Sequence, residues 1–210
     1  MSTKLYQPKL LFETADYLVA DKPPGWLTIS APRLKTPAPV LKDWIETTDS
    51  ARIWVVHRLD LETSGVVVFA RSEAAHRWAC IQFEKRKVSK IYHAWTTGSK
   101  PRFPVLRLHR PIAGKAALTQ ASLLETRRVG TLDYHFWEVR LETGRRHQIR
   151  IHLSQAGYPI VGDGTYDGHQ GPRLLLHASK VELPLPTGTD LLSVESPRPL
   201  DFHPLEEGIS

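Results

Sequence analysis

The 210-residue chain has a single cysteine, Cys80. A lone cysteine excludes an intrachain disulfide and suits a reducing compartment. No run of 18 apolar residues occurs, so no segment is expected to span a membrane as a helix. The first residues, Met1 to Pro8, lack the apolar stretch of a signal peptide. There is no internal repeat or low-complexity tract. No glycine-rich phosphate loop opens a helix, and no His-Glu-x-x-His pair or cysteine cluster appears, which removes the usual nucleotide-cofactor and zinc signatures. His147 and His152 are five apart and point to different helix faces; His76, His93, His109, His135 and His169 are scattered singly and read as structural. What is present is a 41% hydrophobic, 24% charged composition, an ordinary globular mix. The expectation is a soluble, cytoplasmic, monomeric protein that needs no metal or cofactor.

Charge is unevenly spread. The formal net charge is +6, yet residues 71–110 carry ten basic side chains and two acidic ones, Glu73 and Glu84. Residues 181–210 carry six acidic and one basic. Concentrated positive charge offers a surface to a polyanion, of which nucleic acid is the commonest. A run such as Lys85-Arg86-Lys87 has a plainer reading as a solvated helix end.

Proline marks the regular structure by its absence. None of the 16 lies between Pro39 and Pro101 or between Pro111 and Pro159, and proline interrupts both helix interiors and central strands. Tyr17–Ala20 reads as a short strand running into the turn Lys22-Pro-Pro-Gly25, and 40–46 as one or two helical turns. Ile53–Val56 and Val66–Phe69 are β-branched, apolar runs, hence buried strands. Ser72 should cap a helix with Ala75, Trp78, Ala79, Gln82 and Phe83 on its inner stripe. Residues 89–97 read as a strand, and 119–124 with 132–141 as a pair around Val129-Gly130. Thr143 should cap a helix over 145–156, stopped by Gly157. The core is expected over about 9–183, with 184–210 an irregular acidic tail, all in one domain spanning 1–210. More strands than helices, without strict alternation, predict α+β with a mainly antiparallel sheet and flanking helices.

Two constellations can carry chemistry. The first is His57-Arg58-Leu59-Asp60-Leu61-Glu62-Thr63-Ser64-Gly65, a polar loop between two apolar strands. Asp60 can serve as nucleophile, base or metal ligand, and equally as the cap of an Asx-turn. No Gly-x-Ser-x-Gly surrounds Ser64, so a nucleophile elbow is unsupported. The second is Thr143-Gly-Arg-Arg-His-Gln-Ile-Arg-Ile-His-Leu153. Arg146 and Arg150 would share a face near a helix start, where they oppose the macrodipole; such placement implies an anionic partner, a carboxylate or a phosphate.

The motif His57-Arg58-Leu59-Asp60-x-x-Thr63-Ser64-Gly65 resembles the signature of RluA-type pseudouridine synthases. Further segments resemble that family in its order: Asp21-Lys22-Pro23-Pro24-Gly25, Lys90-Ile91-Tyr92-His93-Ala94, Gly144 to Leu153, Tyr158-Pro159-Ile160-Val161-Gly162-Asp163 and Leu174 to Ala178. Six motifs in order make a specific match. The resemblance implies isomerisation of uridine to pseudouridine in a structured RNA, ribosomal or transfer, on a pseudouridine-synthase-like catalytic core. It implies Asp60 as the essential aspartate, Arg150 as the arginine that pairs with it and Tyr92 as the tyrosine packed on the target base. Arg58 would fill the space left by the flipped nucleotide, and Leu176 would line the base pocket. Lys90, Arg145 and Arg146 are expected to contact RNA. One departure is Thr28-Ile29-Ser30-Ala31-Pro32, which stands where the family often has a Val-His-Pro-like segment. A separate RNA-binding domain ahead of the core is not expected.

Two other classes compete. A non-catalytic RNA-binding protein could keep the fold and the basic surface, but has no need for Asp60, Tyr92 and Arg150 together. A metal-free hydrolase using Asp60 with Glu62 as a carboxylate pair fits worse.

Overall fold

The computed structural model describes residues 7–31, 37–49 and 52–204; Pro32 lies outside them. It is an α+β protein in which strands dominate. The chain falls into two compact units: Met1–Val88 with Ala178–Pro197, and Ser89–His177 with Arg198–Ser210.

The first unit is built on β1 (Lys9–Glu13), β2 (Tyr17–Lys22), β3 (Trp54–Val55) and β4 (Ser64–Ala70), with helices α1 (Leu41–Asp49) and α2 (Glu73–Glu84). Strand β2 runs antiparallel to β1 on one side and to β4 on the other, placing Val19 opposite Val68 and Lys22 opposite Gly65. Every residue of β4 is buried, as its unbroken apolar run requires: a strand covered on both faces has no solvent side on which to alternate. Ser72 caps α2, accepting from the Ala75 N–H at 3.1 Å, and Ala75, Ala79 and Gln82 form its buried stripe. That stripe meets Tyr17, Val19, Val66 and Val68 in one core cluster. The Tyr17 hydroxyl donates to the Ala75 carbonyl at 3.0 Å, and burial, reinforced by Asp16, pushes its pKa up to about 12.

Two expectations are corrected here. The strand expected over 53–56 is only Trp54–Val55 and is half-buried rather than buried. The tail expected to be irregular contains β10 (Leu191–Glu195), antiparallel to β9 (Leu176–Pro184). Leu192 and Val194 of β10 point into the core while Leu191, Ser193 and Glu195 are exposed, so burial on one face outweighs the proline-rich, acidic setting.

In the second unit, β5 (Ser89–Thr97), β8 (Leu132–Leu141), β7 (Thr119–Val129) and β6 (Val105–Leu108) lie side by side in that order, every pair antiparallel. Trp95 stands opposite Phe136, and both join Tyr134, Val161, Leu175 and Phe202 in the core. Helix α3 (Gln148–Gln155) starts three residues later than the capping rule predicts. Thr143 does not cap it. Its hydroxyl instead donates to Gln148 Oε1 at 2.7 Å and accepts from the Leu118 N–H at 2.9 Å. His147 takes the cap position in a left-handed conformation, φ 54°. Arg145 and Arg146 therefore lie in the turn before the helix, and Arg146 does not share a helical face with Arg150. Beyond Ala156, Gly157 takes φ +83° and ends the helix.

Candidate active site

Asp60 sits half-buried in the loop between β3 and β4, and both of its neighbours are pinned. On one side, the Leu59 N–H donates to Thr28 Oγ1 at 3.1 Å and the Leu59 carbonyl accepts from the same hydroxyl at 3.3 Å. On the other, the Leu61 carbonyl accepts from Lys22 Nζ and from the Gly25 N–H, each at 3.0 Å. Lys22 is fully buried; its ammonium also donates to the carbonyls of Pro23 at 2.9 Å and Trp26 at 2.7 Å. Three carbonyl oxygens around one cation compensate its loss of water. The Lys22-Pro-Pro-Gly25 turn is thus a clamp on the loop that carries Asp60. Gly25 makes the turn at φ +77°, which a side chain would oppose.

The loop closes through backbone, the Thr63 N–H donating to the Asp60 carbonyl at 3.1 Å. Thr63 and Ser64 are buried, Arg58 is exposed. His57 turns inward: its Nε2 accepts from the Val68 N–H at 3.1 Å and its ring stacks on Phe83, centroids 5.1 Å apart. At Gly65, φ +114°, a Cβ would lie 2.1 Å from the Ala178 carbonyl oxygen, so the loop's exit passes against β9 where only glycine fits.

The second unit holds Lys90, Tyr92, Arg145, Arg146, Arg150 and Leu176. Tyr92 lies on β5 opposite Val139, 9% exposed. Lys90 precedes it by two residues, and burial pulls its ammonium pKa down. Its Nζ lies 3.8 Å from where a Gly144 Cβ would stand. Leu176 is buried at the start of β9.

Arg150, in the first turn of α3, is 8% exposed. Its Nε and Nη2 donate to the two oxygens of Asp163, both at 2.7 Å, so the expected anion at this helix start includes a carboxylate thirteen residues on. Asp163 Oδ1 also accepts from the N–H groups of Thr165 and Tyr166 at 3.0 and 3.2 Å. Burial raises the Asp163 pKa, but the bonds from Arg150, Thr165 and Tyr166 outweigh it and hold the carboxyl below its ordinary value. The Arg150 guanidinium lies 5.0 Å over the Tyr166 ring, and Tyr166 Oη is 3.0 Å from His147 Nδ1. The guanidinium is held by charge, by two parallel hydrogen bonds and by stacking at once.

Gln148 fixes the turn before α3. Its Oε1 accepts from Thr143 Oγ1 and the Arg145 N–H, and its Nε2 donates to the Leu118 carbonyl and Thr119 Oγ1, all between 2.7 and 3.0 Å. Arg145 Nε donates to the Ala116 carbonyl at 3.1 Å; Arg146 is exposed. Among the described residues no group of three or more His, Cys, Asp or Glu side chains is placed to hold a metal ion. No helix among them is long and apolar enough to cross a membrane.

Spacing alone misses Thr28 beside the Asp60 loop, and Gln148, Asp163 and Tyr166 around Arg150. The signal available was the position of Asp163 shortly after residues 143–156, which hold three arginines and no acid.

Residues 16–155 match the family model described as RNA pseudouridylate synthase. The chain belongs to that family. A ribosomal large subunit pseudouridine synthase D of Pseudomonas aeruginosa is 34% identical over 92% of this chain and 69% of its own length. An uncharacterized RNA pseudouridine synthase of Bacillus subtilis, YhcT, is 32% identical over 93% of this chain and 70% of its own. In fold, human RNA pseudouridylate synthase domain containing 1 superposes with a TM-score of 0.79 at 23% identity, covering 100% of this chain and 94% of that one. Membership in the pseudouridylate synthase family assigns the chain its reaction class, an isomerisation acting on RNA.

Proposed function

We propose that the protein converts uridine to pseudouridine in structured ribosomal RNA, with Asp60 as the catalytic carboxylate. The observation that carries this reading is the clamping of both residues beside Asp60, Leu59 by Thr28 and Leu61 by Lys22 and Gly25. A carboxylate that must meet one sugar or base needs a backbone held in a single position before substrate arrives. The relatives named for the large ribosomal subunit favour ribosomal over transfer RNA as substrate.

The reaction detaches the base from its ribose, turns it and rejoins it through carbon. Nothing is added or removed, so no oxidant, reductant or co-substrate enters. The nucleotide has to leave its stack to be reached. In this reading Tyr92 packs on the extruded base, Leu176 lines its pocket, and Arg58 occupies the gap left in the RNA. Arg150 keeps Asp60 ionised as an opposite charge does; Asp163 and Tyr166 fix the guanidinium for that task. Lys90, Arg145 and Arg146 meet phosphates, which makes binding salt-dependent. The protein works as a monomer in the cytoplasm.

The test is pseudouridine formation in an unmodified large-subunit rRNA transcript, read by mass spectrometry. Wild-type protein forms it, and Asp60→Asn binds the transcript without converting it. Full conversion by Asp60→Asn would remove Asp60 from the chemistry. Tight binding by the wild type with no product would make the protein a binding module.

A further inference from the structure

Residues 98–118 contain five cations and no acidic residue. Lys100, Arg102, Arg107, Arg110 and Lys115 are all exposed. The acids of the neighbouring β7–β8 hairpin are engaged elsewhere: Glu125 by Arg127, Asp133 by Arg128, and Glu138 by Arg140. Charge on this stretch is therefore only weakly offset locally, through Asp133 acting on Lys100.

Large apolar side chains surface in the same place. Phe103 is 58% exposed, Leu124 53% and Val105 43%. The register gathers them: Val105 stands opposite Ser122, and the Leu123 N–H donates to the Pro104 carbonyl at 2.7 Å, which brings Leu124 alongside the 103–105 segment. The Arg102 guanidinium lies 5.5 Å from the Phe103 ring centroid. Strand β6 ends the strand order of its unit, so this cluster forms a rim. An exposed aromatic ring with a stacked arginine, in a cationic surround, is the combination that holds an unpaired base: the ring meets its face and the cations meet its phosphates.

We propose that the β6 rim is a second RNA contact surface, on which an unstacked nucleobase lies against Phe103 while Lys100, Arg102 and Arg107 hold the adjoining phosphates. It rests on RNA being the substrate and adds a place where a single-stranded or looped segment is gripped. A second copy of the chain is a poorer occupant. Two rims meeting would set five cations against five.

The experiment uses the full chain and an unmodified large-subunit rRNA transcript, with filter binding at two salt concentrations and initial rates of pseudouridine formation. Phe103→Ala should weaken binding about 5- to 100-fold, the range for loss of one stacked base, with little change in salt dependence. Phe103→Trp should restore affinity. Arg102→Gln should flatten the salt dependence. KM should rise in Phe103→Ala while kcat at saturating RNA stays at the wild-type value. Wild-type affinity in Phe103→Ala at both salt concentrations would overturn the proposal. So would self-association that Phe103→Ala abolishes while RNA affinity is kept, since the occupant would then be a second copy. A wild-type protein that binds the transcript but makes no pseudouridine would overturn the activity alone, leaving the affinities to judge the rim. One that binds no RNA would overturn both.

Discussion

Lys22 Nζ lies 3.0 Å from the Leu61 carbonyl, across 39 residues of sequence and one residue from Asp60. The bond ties the end of β2 to the loop that presents the carboxylate, and it is made by a cation with no access to solvent.

Replacing Lys22 by Met keeps the volume and removes the donor. The carbonyls of Pro23, Trp26 and Leu61 then lose a buried partner, each at a cost of about 1–3 kcal/mol before relaxation. Removing the buried charge itself offsets part of this. Denaturant unfolding should show Lys22→Met less stable by about 2–4 kcal/mol, with turnover falling as the loop loosens. A midpoint equal to wild type would show that the clamp contributes nothing.

Thr28 tests positioning apart from stability. Thr28→Val leaves the Leu59 N–H and carbonyl without the hydroxyl they share, while Thr28→Ser keeps it. The expected result is a drop of about 10- to 100-fold in kcat for Val, since small displacements of a reacting group cost that much, with RNA affinity unchanged and near-complete recovery in Ser. Equal rates in the two variants would assign Thr28 to packing only.

Asp163 sets an acid limit. Its folded pKa is depressed, so the stability it contributes is fully present above the ordinary carboxylate value and is lost as pH falls through the lower folded one. Asp163→Asn should be destabilised at neutral pH, and the gap from wild type should shrink as acid protonates the wild-type carboxyl. Asp163→Ala, which leaves Arg150 buried without this partner, should cost about 3–5 kcal/mol. Urea melts across acid pH decide it; a gap that widens toward low pH contradicts the sign.

Two glycines with positive φ separate space from backbone conformation. Gly65→Ala places a methyl 2.1 Å from the Ala178 carbonyl oxygen, whereas Gly114→Ala, φ +72°, meets nothing within 4 Å. Gly114→Ala should lose only the left-handed penalty of about 1–2 kcal/mol, and Gly65→Ala should fail to give folded protein. Similar melting points for the two would refute the close approach.

Local patterns were the legible part of the fold. Ser89–Thr97 is a strand end to end, and Ser72 caps α2 as its sequence indicates. The start of α3 was not legible, because the Thr143 oxygen that a cap would use accepts instead from the Leu118 N–H while its proton goes to Gln148. Strand β10 carried a period-2 signal in Leu192 and Val194, but prolines and acids around it obscured that signal. Of the proposed catalytic residues, Asp60, Tyr92 and Arg150 stood out through their motifs. The bonds to Thr28 and Asp163 are long-range, and no spacing rule reports which distant side chain meets which carbonyl or guanidinium.

The chain passes from one compact unit to the other after Val88, again after His177 and a third time after Pro197. Neither unit is therefore one continuous stretch of gene. A truncation after Val88 removes strands from both, one after His177 takes β10 and most of β9 from the first and Phe202 from the second, and neither can be moved into another protein by a simple fusion. During synthesis the N-terminal unit lacks β9 and β10 until residues 176–195 have emerged, and the other lacks Phe202 from its core. Both halves therefore wait on residues 178–202 for completion.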